Sequence, residues 1–263
     1  MERTPVLLYH DFYPKTERGK DNFAVSWDNF KEQMEYLHQH GFVAVSLEKF
    51  LKPQASETRK RVILTFDDGD ISNYHFVFPI LKQMGFQATF FITINEIGKK
   101  NRVDWSMVYD LAKSGMDIGS HGMSHTFLTG ESSYNLLNGL LTSKQILEKY
   151  TRKRVDHLSI PRGFYNQNVL TIARDVGFKT ASVSDAGYND FSEDDVFLVR
   201  RFAMRRHYCL MDFKSIVAGQ PTAAIRLSEG LRSHVRRILG YQVYDRIRSL
   251  RHRPVAVENV DGD

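Results

Sequence analysis

The sequence has very few cysteines and no long hydrophobic run. Cys209 is the only cysteine among 263 residues, so no intrachain disulfide can form and a disulfide-dependent fold is excluded. In the motif YCLM we expect Cys209 to be a small buried residue rather than a reactive thiol. Nowhere do 18 apolar residues run together, and the apolar run before His10 is too short for a signal peptide. We therefore expect a cytoplasmic protein.

Internal repeats, low-complexity segments and an even distribution of charge are also lacking. The most polar internal stretch, residues 52–60, is predicted to be a surface loop. The net charge of +5 allows anionic partners, but the excess is concentrated near the C-terminus. Eight arginines lie between Arg226 and Arg253, against Glu229 and Asp245. The basic signal therefore belongs to the C-terminal region.

Short apolar runs alternate with longer amphipathic stretches along most of the chain. This alternation is typical of strands and helices built around a parallel sheet. Helices are predicted after Ser26, over 74–84, 105–113, 132–149 and 167–176, most of them ending at a glycine. The predicted strands are 6–9, 43–45, 62–66, 88–92, 117–119, 157–160, 179–183 and 196–199. About eight such steps favour a closed or nearly closed barrel over two domains.

The C-terminal region, residues 221–263, is predicted to be a basic helical extension of a domain that spans residues 1–220. Apolar residues from Leu227 to Leu250 recur at helical spacing among the arginines. Two interpretations remain open: a helix packed on the barrel with its arginines in solvent, or peripheral docking on an anionic membrane, such as the inner membrane face. Liposome co-sedimentation that is unchanged by deleting residues 222–263 would contradict docking. No recognition motif accompanies the charge, so no nucleic acid is expected as a partner.

Two adjacent carboxylates follow the apolar run in VILTFDDGD. A strand over 62–66 places Asp67 and Asp68 at its carboxyl end, where active sites of parallel α/β folds form. Two carboxylates there repel each other unless a cation is present. The alternative is an ordinary turn, for which Gly69 supplies a positive φ.

Two histidines four positions apart favour the cation. In MDIGSHGMSHTFL, His121 and His125 follow another predicted strand, so one turn can direct both imidazoles to a single point. Two neutral imidazoles and one carboxylate form a common site for zinc or another divalent first-row metal. One aspartate of the pair can then bind the metal, while its neighbour accepts a proton from a water that the cation activates.

The segments TFDDG, SNYHFVFPILKQMGFQATFFI and WSMVYDLAKSGMDIGSHGMSH together resemble the polysaccharide deacetylase family, the NodB homology domain of family 4 carbohydrate esterases. The resemblance runs from about residue 5 to 215. It implies a distorted (β/α) barrel of about seven parallel strands. It also implies that Asp67 is the catalytic base and that Asp68, His121 and His125 bind a divalent metal, most commonly zinc, with cobalt, nickel or iron as alternatives.

A third motif of the family departs from the usual pattern. It commonly reads RPPYG or YPYGxYN, and this chain has SIPRGFYN at residues 159–166, with Arg162 in place of an aromatic. The resemblance implies that a main-chain N–H here helps to hold an oxyanion, and a backbone donor survives the change of side chain. Arg162 is predicted to orient Asp67, to bind a substrate phosphate or carboxylate, or to be solvated.

The general acid has no clear match in the sequence. In VRRFAMRRHYCLMDF, His207 is a candidate by default, and His10 with Asp11 is the other candidate, since these residues follow the first strand onto the same rim.

The resemblance implies a metal-dependent hydrolase that removes N-acetyl groups from N-acetylated sugars in a polysaccharide or lipid-linked glycan. Two alternatives remain open: a small-amide or formyl-sugar hydrolase, and a catalytically silent, metal-holding carbohydrate-binding module.

Overall fold

Parallel strands alternate with helices along the part of the chain that the computed structural model describes, residues 4–14, 22–51, 60–191, 197–235 and 243. The strands are β1 (Val6–Tyr9), β2 (Phe12–Tyr13), β3 (Val25–Ser26), β4 (Val43–Val45), β5 (Arg61–Phe66), β6 (Thr89–Ile92), β7 (Asp117–Ser120), β8 (His157–Ser159), β9 (Thr180–Ser182), β10 (Leu198–Val199) and β11 (Phe202–Ala203). The α-helices are α1 (Trp27–Gln39), α2 (Leu47–Leu51), α3 (Phe78–Gln83), α4 (Trp105–Lys113), α5 (Ser133–Thr151), α6 (Gln167–Asp175) and α7 (Leu210–Val217). Residues 223–235 are also helical.

The helices begin and pack as their sequences predict. The Ser26 hydroxyl accepts a hydrogen bond from the N–H of Asn29 and caps α1, which buries Phe30, Met34 and Leu37 on one face. Helices α4, α5 and α6 are capped in the same way, by Asp104, Ser132 and Asn166. The helix predicted over 74–84 is divided into a π-helical turn, Asn73–Val77, and α3.

One parallel sheet forms the barrel, in the order β10-β9-β8-β7-β6-β5-β1-β11, with β4 paired to the start of β5. Strand β10 pairs with β9 and strand β11 pairs with β1, although only Arg200 and Arg201 separate the two strands in the chain. The segment 198–203 therefore closes the barrel by changing partners at its middle. Counting this segment once and leaving out β4 gives the seven parallel strands of the predicted distorted barrel, which is confirmed.

Strand β5 is central to the sheet, and its residues from Val62 to Phe66 are all buried. A strand that is covered on both faces reads as a continuous apolar run, which is why VILTF was recognisable in the sequence. Its carboxyl end opens onto the rim of the barrel, so Asp67 and Asp68 lie at the carboxyl end of a parallel strand, as the sequence predicts.

Helical residues 223–235 pack on the barrel through a buried ion pair. Arg205 Nε donates to Glu229 Oε1 at 2.9 Å, and both side chains are buried together with Ile225. On the other side, Leu227 and Leu231 are 76% and 62% exposed. The packed-helix interpretation therefore fits residues 223–235, while residues 236–242 and 244–263 lie outside the described part. The boundary at residue 220 and the membrane contact stay predictions.

Two other sequence predictions concern Cys209 and the loop at residues 52–60. Cys209 is exposed at the start of α7, so the prediction that it is buried was wrong: Tyr208 is the buried residue of YCLM, while the Cys209 thiol contacts Asp212. Residues 52–59 of the predicted surface loop lie outside the described residues. Within the described residues, no helix has the length and apolar composition needed to cross a membrane.

Candidate metal centre and catalytic site

Three side chains that offer metal-ligating atoms meet at the rim of the barrel. Asp68 follows β5, and His121 and His125 follow β7, with only β6 between these two strands in the sheet. Asp68 Oδ1 lies 3.2 Å from His121 Nε2 and 3.5 Å from His125 Nε2. Two ligand atoms about 2.0–2.1 Å from one tetrahedral ion lie about 3.3 Å apart. The spacing of these three atoms therefore fits a single ion.

The tautomer of His121 supports the same conclusion. Its Nδ1 lies 2.8 Å from the carbonyl oxygen of Ser159, which can only accept, so Nδ1 carries the proton. In the neutral ring, Nε2 then presents a lone pair to Asp68 Oδ1, a buried atom with no hydrogen-bond partner among the described residues. A cation between these two atoms, either a metal ion or a proton on Nε2, removes their repulsion; burial lowers the pKa of His121, but Asp67 and Asp68 raise it above its usual value. A carbonyl that fixes the distal nitrogen is also the usual support of a metal-bound histidine.

The electrostatics of the triad favour a bound cation. Burial would raise the pKa of Asp68, but His121 and weaker charges lower it well below its usual range. Burial, with the charges of His121 and Arg162, lowers the pKa of His125 to about 4. His125 is therefore neutral, the form that binds metal, at physiological pH.

Asp67 lies beside the triad and is held by Arg201. Arg201 Nη1 and Nη2 donate to Asp67 Oδ1 and Oδ2 at 2.8 and 2.9 Å, and Ser159 Oγ donates to Oδ2 at 2.8 Å. Burial raises the pKa of Asp67, but Arg201 and His121 more than offset it, so the carboxyl stays ionised. These bonds use three of about four acceptor positions of a carboxylate, and the remaining one is on Oδ1.

Arg201 is the functional residue that the sequence did not reveal. It is fully buried at the point where segment 198–203 changes partners, and its Nε donates to the carbonyl of Val183 at 3.0 Å. The sequence held only an indirect sign of it. The family pattern RPPYG begins with an arginine, and this chain has Ser159 at that position, so the arginine of the motif is missing there. The prediction that Arg162 orients Asp67 was wrong, because the fork that holds the carboxylate comes from Arg201.

Replacing Arg201 tests this pair. Arg201→Met leaves Asp67 buried without its cation, so we expect the free energy of unfolding to fall by about 3–5 kcal/mol in urea denaturation at neutral pH. The deficit should shrink as the pH is lowered, because burial then raises the pKa of Asp67 and the carboxyl can take up a proton. Arg200→Met removes a neighbouring, exposed arginine and should change stability by no more than about 0.5 kcal/mol. Equal effects of the two substitutions would contradict the role of Arg201.

Arg162 contacts the loop that carries His125. Its Nε donates to the carbonyl oxygen of His125 at 3.2 Å, and its guanidinium lies over the ring of Phe127, 4.5 Å from the centroid. Its backbone is left-handed, with a φ of 61°. The side chain is therefore fixed at the rim by contacts with the loop that carries a metal ligand.

The structure separates the two candidates for the general acid. His207 is exposed, its ring contacts Tyr208, and the charged groups that act on it include Arg205 and Arg232 rather than the Asp67 carboxylate. None of its contacts within the described residues reaches the metal triad, so its catalytic role stays a prediction without a supporting contact.

His10 lies at the site. Burial and nearer groups dominate the pKa values of Asp67, Asp68 and His125, and His10 contributes a smaller charge effect to all three. Its Nδ1 is buried and has no hydrogen-bond partner within the described ranges. His10 is therefore close enough to act on the charges of the site, and its role as the acid, alone or with Asp11, stays a prediction.

Comparison with known proteins identifies relatives of the chain. Residues 54–181 match the model of a family described as polysaccharide deacetylase. Poly-beta-1,6-N-acetyl-D-glucosamine N-deacetylase of Staphylococcus aureus is 26% identical over 60% of this chain and 60% of its own length. Peptidoglycan-N-acetylglucosamine deacetylase of Bacillus cereus is 30% identical over 48% of this chain and 58% of its own length. The chain thus spans about three fifths of these relatives.

Solved structures share the fold. The deacetylase PplD of Streptococcus pyogenes, determined in complex with acetate, superimposes with a TM-score of 0.74 over 82% of this chain and 98% of that chain, at 21% identity. At this identity the likeness establishes the barrel architecture alone.

Proposed function

Because the chain belongs to the polysaccharide deacetylase family, we propose that it is a metal-dependent carbohydrate N-deacetylase, which removes N-acetyl groups from N-acetylglucosamine units of a polysaccharide or lipid-linked glycan. One observation carries the proposal: an ionised Asp67 lies beside three side chains whose spacing fits one divalent ion. Two relatives named for deacetylation of N-acetylglucosamine support the choice of sugar.

The metal site fits zinc best. Asp68, His121 and His125 offer one oxygen and two nitrogen ligands, the set that zinc takes in hydrolytic sites with an open position, although cobalt, nickel or iron also accept it. When bound, such an ion acts as a Lewis acid and activates water near neutral pH.

The protein's own residues supply the proton transfers. Asp67 accepts the proton of the attacking water through Oδ1, while Arg201 and Ser159 keep the carboxylate ionised and oriented. His10, across the site, donates a proton to the amine that leaves. The main-chain N–H at Arg162 is the proposed donor to the oxyanion of the tetrahedral intermediate. Acetate and a free sugar amine are the products.

Acetate release tests the proposal. Purified protein is stripped with a chelator, reloaded with Zn²⁺ or Co²⁺, and incubated with chitooligosaccharides, poly-N-acetylglucosamine fragments and lipid-linked N-acetylhexosamines. We expect acetate from at least one substrate, lost on stripping and restored on reloading. Release from none of them would contradict the proposal. N-formyl hexosamines in the same assay test the formyl-sugar alternative, and sugar binding without any release would favour the silent binding module.

The cellular location of the protein is proposed from the sequence alone. A cytoplasmic protein in contact with the inner membrane face would meet lipid-linked saccharides, and exposed Leu227 and Leu231 beside Arg226 would suit such a contact. The liposome experiment described above tests it.

A further inference from the structure

Two arginines lie on the rim loops that follow β6 and β8, the strands on either side of β7. Arg102 lies in the loop after β6, between the strands that carry the metal ligands, and Arg162 lies in the loop after β8, next to β7. We infer that Arg102 and Arg162 bind a negatively charged group, a carboxylate or a phosphate, that the substrate carries next to its acetamido group. This inference rests on the proposed function and narrows its substrate to anionic N-acetylated sugars.

Arg162 is held at the site at a conformational cost. Left-handed backbone is unfavourable for a residue with a β-carbon, yet Arg162 adopts it with a φ of 61°. Its Nε is fixed by the His125 carbonyl and its planar face by Phe127, which leaves little side-chain entropy to lose when a ligand binds. A guanidinium fixed in this way is suited to bidentate recognition of a carboxylate or phosphate. An aromatic side chain, common at this place in the family motif, has no such capacity.

Arg102 is attached to the metal-binding turn from the opposite side. Its loop is bonded to that turn, since the N–H of Val103 donates to the carbonyl of Gly69 at 3.0 Å. Nη1 of Arg102 reaches the carbonyl oxygen of Asp68 at 3.4 Å, and the side chain is 28% exposed. The guanidinium is thus positioned beside Asp68 and remains partly accessible to solvent.

Several carboxylates near the two arginines already have partners. Asp67 is matched by Arg201, and Glu96 lies 3.8 Å from Nε of Arg102. Asp70 accepts from the N–H and hydroxyl of Ser72. A neutral polymer of N-acetylglucosamine makes no use of the charges of Arg102 and Arg162, whereas an anionic neighbour does.

Arg162 has a competing explanation. After burial and His121, its charge helps to lower the pKa of His125, which keeps that ligand neutral whatever the substrate. Arg102 is not among the principal charges that act on the pKa values of His121 and His125, and it lies on the other loop. A test that includes both arginines therefore separates substrate recognition from tuning of the metal site.

The test compares matched substrates on the zinc-loaded full chain. They are a disaccharide of N-acetylglucosamine and a uronic acid, its neutral methyl ester, and an N-acetylglucosaminyl phosphodiester. We expect kcat/KM for one of the two anions to exceed that for the ester by about tenfold or more, and the anion that gains more identifies the group. The ratio should fall as salt is raised, because salt screens exposed charges.

The variants are Arg162→Gln, Arg162→Tyr and Arg102→Gln, with Lys31→Gln, an exposed cation on α1, as the control. We expect each arginine variant to reduce the anion-to-ester ratio about tenfold, and the control to leave the ratio unchanged. Zinc content, measured for every variant, shows whether His125 still binds. A loss of zinc confined to Arg162 variants, with an unaltered ratio in Arg102→Gln, would favour tuning and overturn the inference.

Failure of the inference and failure of the proposed function give different results. Acetate release from the methyl ester at the same kcat/KM as from both anions would overturn the inference alone. No acetate from any substrate would overturn the proposed function, and the inference with it.

Discussion

Asp67→Asn is expected to lower kcat for acetate release by on the order of 10²–10⁴-fold while the protein keeps its metal. The neutral amide is too weakly basic to accept a proton from water, but the three metal-ligating side chains, Asp68, His121 and His125, are unchanged. Metal content is measured by elemental analysis and turnover by acetate release. Loss of metal together with activity would show that Asp67 is a ligand, and full activity would show that another group is the base.

The Arg201 contact complicates this variant, because asparagine leaves a buried guanidinium without its counter-ion, at a cost of about 3–5 kcal/mol. Circular dichroism must therefore show that the variant is folded at the assay temperature. Asp67→Glu keeps the charge but shifts the carboxylate, and a displacement of about 1 Å can cost about 10²-fold in rate. Ser159→Ala is the matched control, since it removes the hydroxyl that donates to Oδ2 and accepts from Arg201 Nη2 but keeps the Asp67 carboxylate and both direct bonds from Arg201. It should lose far less activity than either Asp67 variant.

The strands could be predicted where burial on both faces makes a continuous apolar run. VILTF became β5 and VLLY became β1, with bounds that differ by at most one residue. Strand β11 was missed because it has two residues and belongs to the segment that changes partners at Arg200 and Arg201. Helix α2 was missed for a similar reason, since five residues show less than two turns of periodicity. Elements that depend on tertiary partners leave little trace in local pattern.

The same difference between local and long-range features applies to the residues of the candidate site. The metal triad was predictable because a strand end and an HxxxH spacing are local features, and a parallel sheet brings such ends to one rim. The partner of Asp67 was not predictable, since Arg201 is 134 positions away and reaches the carboxylate only because segment 198–203 closes the barrel. Arg162 belongs to the third family motif and was therefore the arginine that the sequence suggested, but its Nε donates to the carbonyl of His125 instead.

The second large effect is expected at the metal ligands. Asp68→Asn and His125→Ala should each weaken zinc binding by at least about 100-fold, because even substitutions behind the ligands cost about 10–100-fold in metal affinity. Zinc affinity is measured by competition with a chromophoric chelator and occupancy by elemental analysis. His75→Ala replaces an exposed histidine of the π-helical turn and should leave both unchanged.

The choice of asparagine at position 68 matters for what the experiment shows. Asp68 has a φ of 72°, a left-handed conformation that asparagine and aspartate tolerate better than alanine. Asp68→Asn therefore removes the charged ligand without adding backbone strain, whereas Asp68→Ala would mix the two effects. If the site exists to hold a cation between Asp68 Oδ1 and His121 Nε2, the asparagine variant should lose zinc while its metal-free form remains folded. Zinc bound as tightly by Asp68→Asn as by the unaltered chain would show that the ion lies elsewhere.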